Sequence, residues 1–134
     1  MSKAIFKVPT PVNENVKEYS KDSEELKLLL HEYDEMYKKE IDIPMIIGGN
    51  KVTTKEKINI YPPHDINHCV GHYYSGNKNH VEEAIKAAMK AKAKWSRMKW
   101  QDRASIFLKA ADLLIGPYRN KINAATMIGQ SKNV

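Results

Sequence analysis

The sequence predicts an α+β unit: helices plus a small β-hairpin or arm region, together forming an incomplete domain. Three observations carry this. Apolar residues recur at helical spacing in two separate stretches, Leu26–Tyr37 and Val81–Ile128. Between them, Ile41–Ser75 breaks into short apolar or alternating runs bounded by Gly and Pro. The three helical faces after residue 79 offer more apolar surface than those few strands can cover.

Taken in order, residues 1–19 read as extended, because Pro9 and Pro11 exclude a helix and push their predecessors toward extended backbone. A helix follows. Asp22 or Ser23 caps it, Glu24 and Glu25 sit at its positive end, and Leu26, Leu29, Leu30, Tyr33 and Tyr37 form one apolar stripe. Lys38 and Lys39 suit its C-terminal end, and Pro44 lies beyond it. Ile43–Ile47 and Lys51–Thr54 read as a hairpin closed by Gly48-Gly49-Asn50. Lys57–Tyr61 alternates as a strand and stops at Pro62-Pro63, and Cys69–Tyr74 is a further strand ending near Gly76.

From Asn79 the helical period returns, with Asn79 as N-cap and Glu82 completing a capping box. Val81, Ala84, Ile85, Ala88, Ala91 and Trp95 share one face, and Lys86, Lys90, Lys94 and Arg97 the other. A second helix starts near Asp102, with Ala104, Phe107, Leu108, Ala111, Leu114 and Ile115 as its apolar face, and stops at Gly116-Pro117. A third runs from about Tyr118 to Ile128 on Ile122, Ala125 and Ile128, and Gly129 ends it. The predicted organisation is an extension with one helix over 1–40, short strands and a hairpin over 41–76, and helices over 77–134.

Composition narrows the function classes. The chain has 134 residues, 42% hydrophobic and 28% charged, which suits a folded chain rather than a disordered one. No apolar run approaches the roughly 20 residues of a membrane span. A single Cys excludes an internal disulfide framework. The opening lacks a signal-peptide core, so a reducing, cytoplasmic location is the expectation. The net charge is +6, and the excess is confined to Lys78–Lys121, where 11 basic residues face 4 acidic ones. A nucleic-acid surface is one reading of the Lys86, Lys90, Lys94 and Arg97 stripe. The wet face of an amphipathic helix is the simpler one, since no aromatic platform interleaves with the lysines.

Chemistry-bearing residues are few. His64, His68, Cys69 and His72 lie close in sequence, but their spacing matches no metal-ligand pair on one element. Cys69 as a nucleophile needs a base, and adjacent His68 would face the other side of a strand. Glu24-Glu25, Asp34-Glu35 and Glu82-Glu83 read as solvated helix carboxylates. No G-x-G-x-x-G, P-loop or H-E-x-x-H occurs. No catalytic, cofactor-binding or metal residue is assigned.

The segment Val81–Lys132 resembles the N-terminal helical region of the aldehyde dehydrogenase superfamily. The resemblance runs through Ile85-Lys86-Ala87-Ala88, Trp95, Asp102-Arg103, Phe107–Asp112 and Gly116-Pro117. The wording of Ile106–Asp112, Gly116–Arg119 and Ala125–Lys132 is similar to the branch that oxidises L-glutamate gamma-semialdehyde, and Val8–Glu14 and Pro62–Asp65 match it independently. Asn15, where Pro is common, and Ser131, where Gly often precedes Lys, are minor departures. The resemblance implies an α/β parent fold and a homo-oligomeric enzyme using NAD. In such enzymes a Cys thiolate attacks the aldehyde, hydride passes to the nicotinamide, and a Glu-activated water releases the acid. It also implies that this Cys, the Glu and the cofactor residues lie downstream of Val134, and that Cys69 is not the nucleophile. The expected reading is the truncated N-terminal part of such an enzyme, inactive alone. Alternatives are a short product that binds full-length subunits and, less favoured, a basic nucleic-acid-binding module.

Overall fold

A computed structural model describes residues 10–134; the Val8-Pro9 part of the opening match lies outside the described residues. The elements are α1 (Glu24–Lys38), β1 (Ile41–Ile43), β2 (Met45–Ile47), β3 (Asn50–Val52), β4 (Lys57–Ile60), β5 (Gly71–Tyr74), α2 (Lys78–Trp95), α3 (Trp100–Ile115) and α4 (Arg119–Gln130).

The best-buried seam joins α1 to α4. Ser23 caps α1 by accepting from the Leu26 amide at 3.2 Å. Leu29 is the buried residue of α1 at 1% exposure, and Ala124 and Ile128 are the buried residues of α4. Two expectations change here. Leu30 is 43% exposed, because the buried arc is narrower than the sequence stripe and centres on Leu29. On α4 the buried small residue is Ala124, and Ala125 faces out. Gly129 lies inside α4, which ends at Gln130 with Ser131 in the left-handed region at φ 51°. Residues 10–23 run without regular structure beside α4, tied by the Arg119–Glu14 ion pair and by Asn123 Nδ2 donating to the Tyr19 hydroxyl at 3.0 Å.

The β region is two small sheets, not one narrow arm. Pro44 breaks the predicted Ile43–Ile47 run, since it has no amide to give a ladder. Ile43 therefore ends β1, while Met45–Ile47 pairs antiparallel with β3. Gly48 and Gly49 close that hairpin at φ 59° and 86°, the two positive values a tight hairpin turn requires. The second sheet has the order β1-β5-β4, with β1 parallel and β4 antiparallel to the central β5. Val70, just before β5, joins both neighbours: its amide donates to Ile60 O and its carbonyl accepts from Ile41 N, each at 3.0 Å.

Gly71 opens β5 at φ 154°, and a Cβ there would lie 2.3 Å from Ile41 O. That close approach fixes the residue as glycine. It also starts the strand two residues later than expected, so Cys69 sits in the connection, half-buried, with its thiol donating to Gly71 O at 3.3 Å.

Helix α2 starts earlier than Asn79. Asn77 is the N-cap, and His80, not Glu82, completes the capping box; Glu82 lies 3.9 Å from Lys78 instead. Asn77 wins because its side chain accepts from both the Asn79 and His80 amides. Helix α2 meets the hairpin where Gly48 approaches Ala87. The predicted apolar faces of α2 and α3 are present but uncovered: Val81, Ile85, Phe107, Leu108, Leu114 and Ile115 are all more than half exposed. Trp95 and Phe107 meet edge to face at 6.4 Å. Helix α3 begins at Trp100, two residues before the expected Asp102, without a side-chain cap. It stops at Gly116-Pro117 as predicted, although Gly116 has φ −102°, so the stop does not use a left-handed glycine.

Candidate functional site

The turns at Pro62–His68 bring an aromatic and imidazole cluster onto α1. Asp65 N donates to Pro62 O and His68 N to Asp65 O, two successive turns that place His64, Asp65 and His68 against Tyr33 and Tyr37. Tyr37 donates its hydroxyl to Asp65 Oδ2 at 2.8 Å. His68 stacks on the Tyr37 ring at 4.2 Å and donates from Nε2 to Tyr37 O at 2.6 Å, which places its proton on Nε2. His64 contacts Tyr33 Oη at 3.3 Å through Nε2 and Ser131 Oγ at 2.8 Å through Nδ1. The cluster thus ties α1, the turn and the end of α4. Beside it is a cavity of about 430 Å³ lined by Tyr33, His64, Met127, Ser131 and Lys132–Val134.

Electrostatics follow the bonds. The Tyr37 hydroxyl holds Asp65 below the usual carboxylate range, aided by the Asn67 amide and despite some desolvation. Reciprocally, that bond to Asp65 pushes the Tyr37 phenol up.

A second cluster lies on the β1-β5-β4 sheet. Register places Asp42 opposite His72, and His72 opposite Asn59. Asp42 Oδ1 lies 2.7 Å from the Tyr74 hydroxyl and 2.5 Å from His72 Nε2. Lys57 Nζ is 3.0 Å from the same His72 nitrogen. One ring nitrogen cannot serve both, and the short carboxylate contact claims its proton. Lys57 therefore acts as a nearby charge, 5.6 Å from the Tyr74 ring centre. Tyr74, then His72 and Lys57, hold Asp42 below the usual range; the bond to Asp42 pushes the Tyr74 phenol up.

The candidate metal residues diverge. His64 and His68 go to α1, Cys69 to a backbone carbonyl and His72 to Asp42. Among the described residues no group of three or more His, Cys, Asp or Glu side chains could hold a metal ion. Among the described residues no base bonds the Cys69 thiol, which is turned to Gly71 O. Of the basic stripe, Lys90, Lys94 and Arg97 line a shallow groove of about 470 Å³ with Ala93 and Met98. The carboxylate pairs of α1 and α2 are exposed. The Tyr37–Asp65 and Tyr74–Asp42 pairs were not visible in the sequence, because their partners lie about 30 residues apart and no local signal marks them.

These clusters fasten elements; none sets a nucleophile beside a base and an oxyanion donor. Family relationships identify the fold that these clusters hold together. Residues 51–134 match the aldehyde dehydrogenase family. The chain belongs to that family.

Within it, the chain is similar to delta-1-pyrroline-5-carboxylate dehydrogenases. It is 41% identical to that of Agaricus bisporus over 97% of this chain, and 39% identical to a probable one of Schizosaccharomyces pombe over 98%. The structure superposes on the Mycobacterium tuberculosis delta-pyrroline-5-carboxylate dehydrogenase bound with NAD at TM-score 0.91 and 38% identity, over 96% of this chain and 24% of that one. The chain spans about a quarter of the length of these relatives, 24% of each fungal protein. The Dictyostelium discoideum and Danio rerio relatives are named as mitochondrial. Among the described residues no helix is long and apolar enough to cross a membrane.

Proposed function

We propose that the chain is the N-terminal quarter of an NAD-dependent enzyme that oxidises L-glutamate gamma-semialdehyde, the open form of 1-pyrroline-5-carboxylate, to L-glutamate in proline degradation. The supporting observation is the similarity to delta-1-pyrroline-5-carboxylate dehydrogenases along 96–98% of the chain. In this reading residues 1–40 are an extension, 41–76 a β segment and 77–134 the first helices of the NAD-binding domain. The parent is a cytoplasmic homo-oligomer, and the chain itself carries no catalytic, cofactor or metal residue.

NAD would supply the hydride acceptor, but the residues present do not fit it. A dinucleotide needs free amides at a glycine-rich strand-to-helix turn. The described strand-to-helix connection between β5 and α2, Ser75-Gly76-Asn77, has one glycine, and the Asn79 and His80 amides that follow it are taken by the Asn77 side chain. No step through NAD is therefore assigned to these residues.

NADH formation from glutamate semialdehyde tests the reading. The purified 134-residue chain should give none, and the longer protein read in frame past the Val134 codon should give turnover. Activity in the short chain overturns its assignment as scaffold; an inactive longer protein overturns the substrate. Cell fractionation checks location, with recovery in mitochondria overturning the cytoplasmic reading. The exposed α2 and α3 faces favour a second reading, in which the chain joins full-length subunits. Co-elution with a full-length relative supports that reading, and separate elution removes it.

A further inference from the structure

We propose that His80 makes the N-terminal cap of α2 a proton-sensitive fastening. The Asn77 side chain accepts from the Asn79 amide at 3.0 Å and the His80 amide at 3.3 Å. In return, the Asn77 amide donates to His80 Nδ1 at 3.1 Å. A capping box ordinarily closes this return bond with the oxygen of a Glu or Gln, which accepts at any neutral or mildly acidic pH. An imidazole nitrogen accepts only while it carries no proton, so this bond requires the neutral ring with its hydrogen on Nε2.

Protonation acts on the cap in two ways with the same sign. Nδ1 becomes a donor aimed at the Asn77 N–H, so an acceptor contact becomes a donor–donor clash. The new positive charge also lies in the first turn of α2, at the positive end of the helix dipole. The surroundings do not offset it. On α2, Lys78 and Glu82 pair with each other, and Glu83 is exposed. From the hairpin the neighbour is the uncharged Met45, which lies with His80 around Gly76. The hairpin's cation, Lys51, is exposed opposite Ile46. Among the described residues no carboxylate bonds the His80 ring.

The cap stands where the chain passes from β5 through Gly76 into α2, and its bonds hold the first turn of that helix closed. The fastening is closed while His80 is neutral. It opens when the ring takes up a proton, so the interval from mildly basic to mildly acidic solution compares the closed cap with the open one.

Nitrogen-15 NMR of the protein tests this. The neutral His80 ring should show the Nε2–H tautomer. Exchange of the Asn77 amide, corrected for its intrinsic pH dependence, should be about five-fold faster at the acidic end, the ratio one ordinary cap represents. His80→Gln should hold the amide protected at both ends, and His80→Leu should leave it open at both. A neutral Nδ1–H tautomer overturns the proposal. So does an Asn77 amide whose protection is unchanged across the interval, or one that falls equally in the wild type and His80→Gln.

Discussion

Leu29 and Leu30 are neighbours on one predicted stripe, yet Leu29 is 1% exposed and Leu30 43%. Truncating each to Ala separates what the period suggests from what packing enforces. A fully buried Leu→Ala change costs about 2–5 kcal/mol, depending on how far the site collapses. At Leu29 a space of about 150 Å³ already adjoins the side chain, lined also by Tyr19, Asn123, Thr126, Met127 and Lys132–Val134. Met127 is flexible and can move into the gap. The low end follows, about 2–3 kcal/mol, which is about a 30- to 150-fold rise in local opening. Leu30 loses far less apolar burial, about 1 kcal/mol or under, hence less than about five-fold. Amide hydrogen exchange along α1 and α4 reads these openings without requiring a two-state melt. Leu29→Ala should loosen both helices, because the seam is shared. Equal effects of the two variants, or loosening confined to α1, would refute the assignment of the core.

Three further outcomes follow from the same geometry. Ultraviolet titration of the seven tyrosines should show two ionising above the ordinary range, Tyr37 and Tyr74; Asp65→Ala and Asp42→Ala should each return one. By linkage, the lowered Asp42 and Asp65 contribute stability present above the ordinary Asp value of about 3.9 and lost as pH falls through their folded values. A low-pH transition unmoved by both Ala variants would remove that account. Gly71→Ala should strip β1 from β5, seen as lost protection of the Ile41 amide that donates to Val70 O; retained protection would show that the 2.3 Å approach relaxes freely. Circular dichroism of the chain should show helix with a broad melt, since the α2 and α3 faces have no cover; a sharp two-state transition would contradict this.

What was legible in the sequence is what depends on neighbours in the chain. A cap at Asp22 or Ser23, a turn at Gly48-Gly49-Asn50 and a stop at Gly116-Pro117 all act within a few residues; Ser23 is the cap, Gly48-Gly49 make the turn with Asn50 opening β3, and the stop appears as read. The errors occur where two local signals compete or a distant partner decides. Asn77 and Asn79 both suit an N-cap, and Asn77 takes the role because its side chain accepts from the Asn79 and His80 amides. Pro44 outweighed the apolar run that surrounds it. Ala124 and Ala125 have the same chemistry, so the orientation of α4 against Leu29 had to choose between them. The Tyr37–Asp65 and Tyr74–Asp42 bonds are products of topology alone.

The buried and the exposed apolar residues divide the chain between what it covers itself and what carries the family resemblance. Burial is concentrated where α1 meets α4 and where Val70 and Tyr74 anchor the sheet. The residues that carry the family resemblance lie mostly on α2, α3 and α4, and Ile85, Phe107 and Leu108 among them are exposed. An apolar face that is regular over four turns costs solvation free energy unless something covers it. A face this regular is of the kind that another apolar surface covers. The polar clusters fix the other elements instead, with Tyr37 holding α1 to the Pro62–His68 turns and Tyr74 holding β5 to β1.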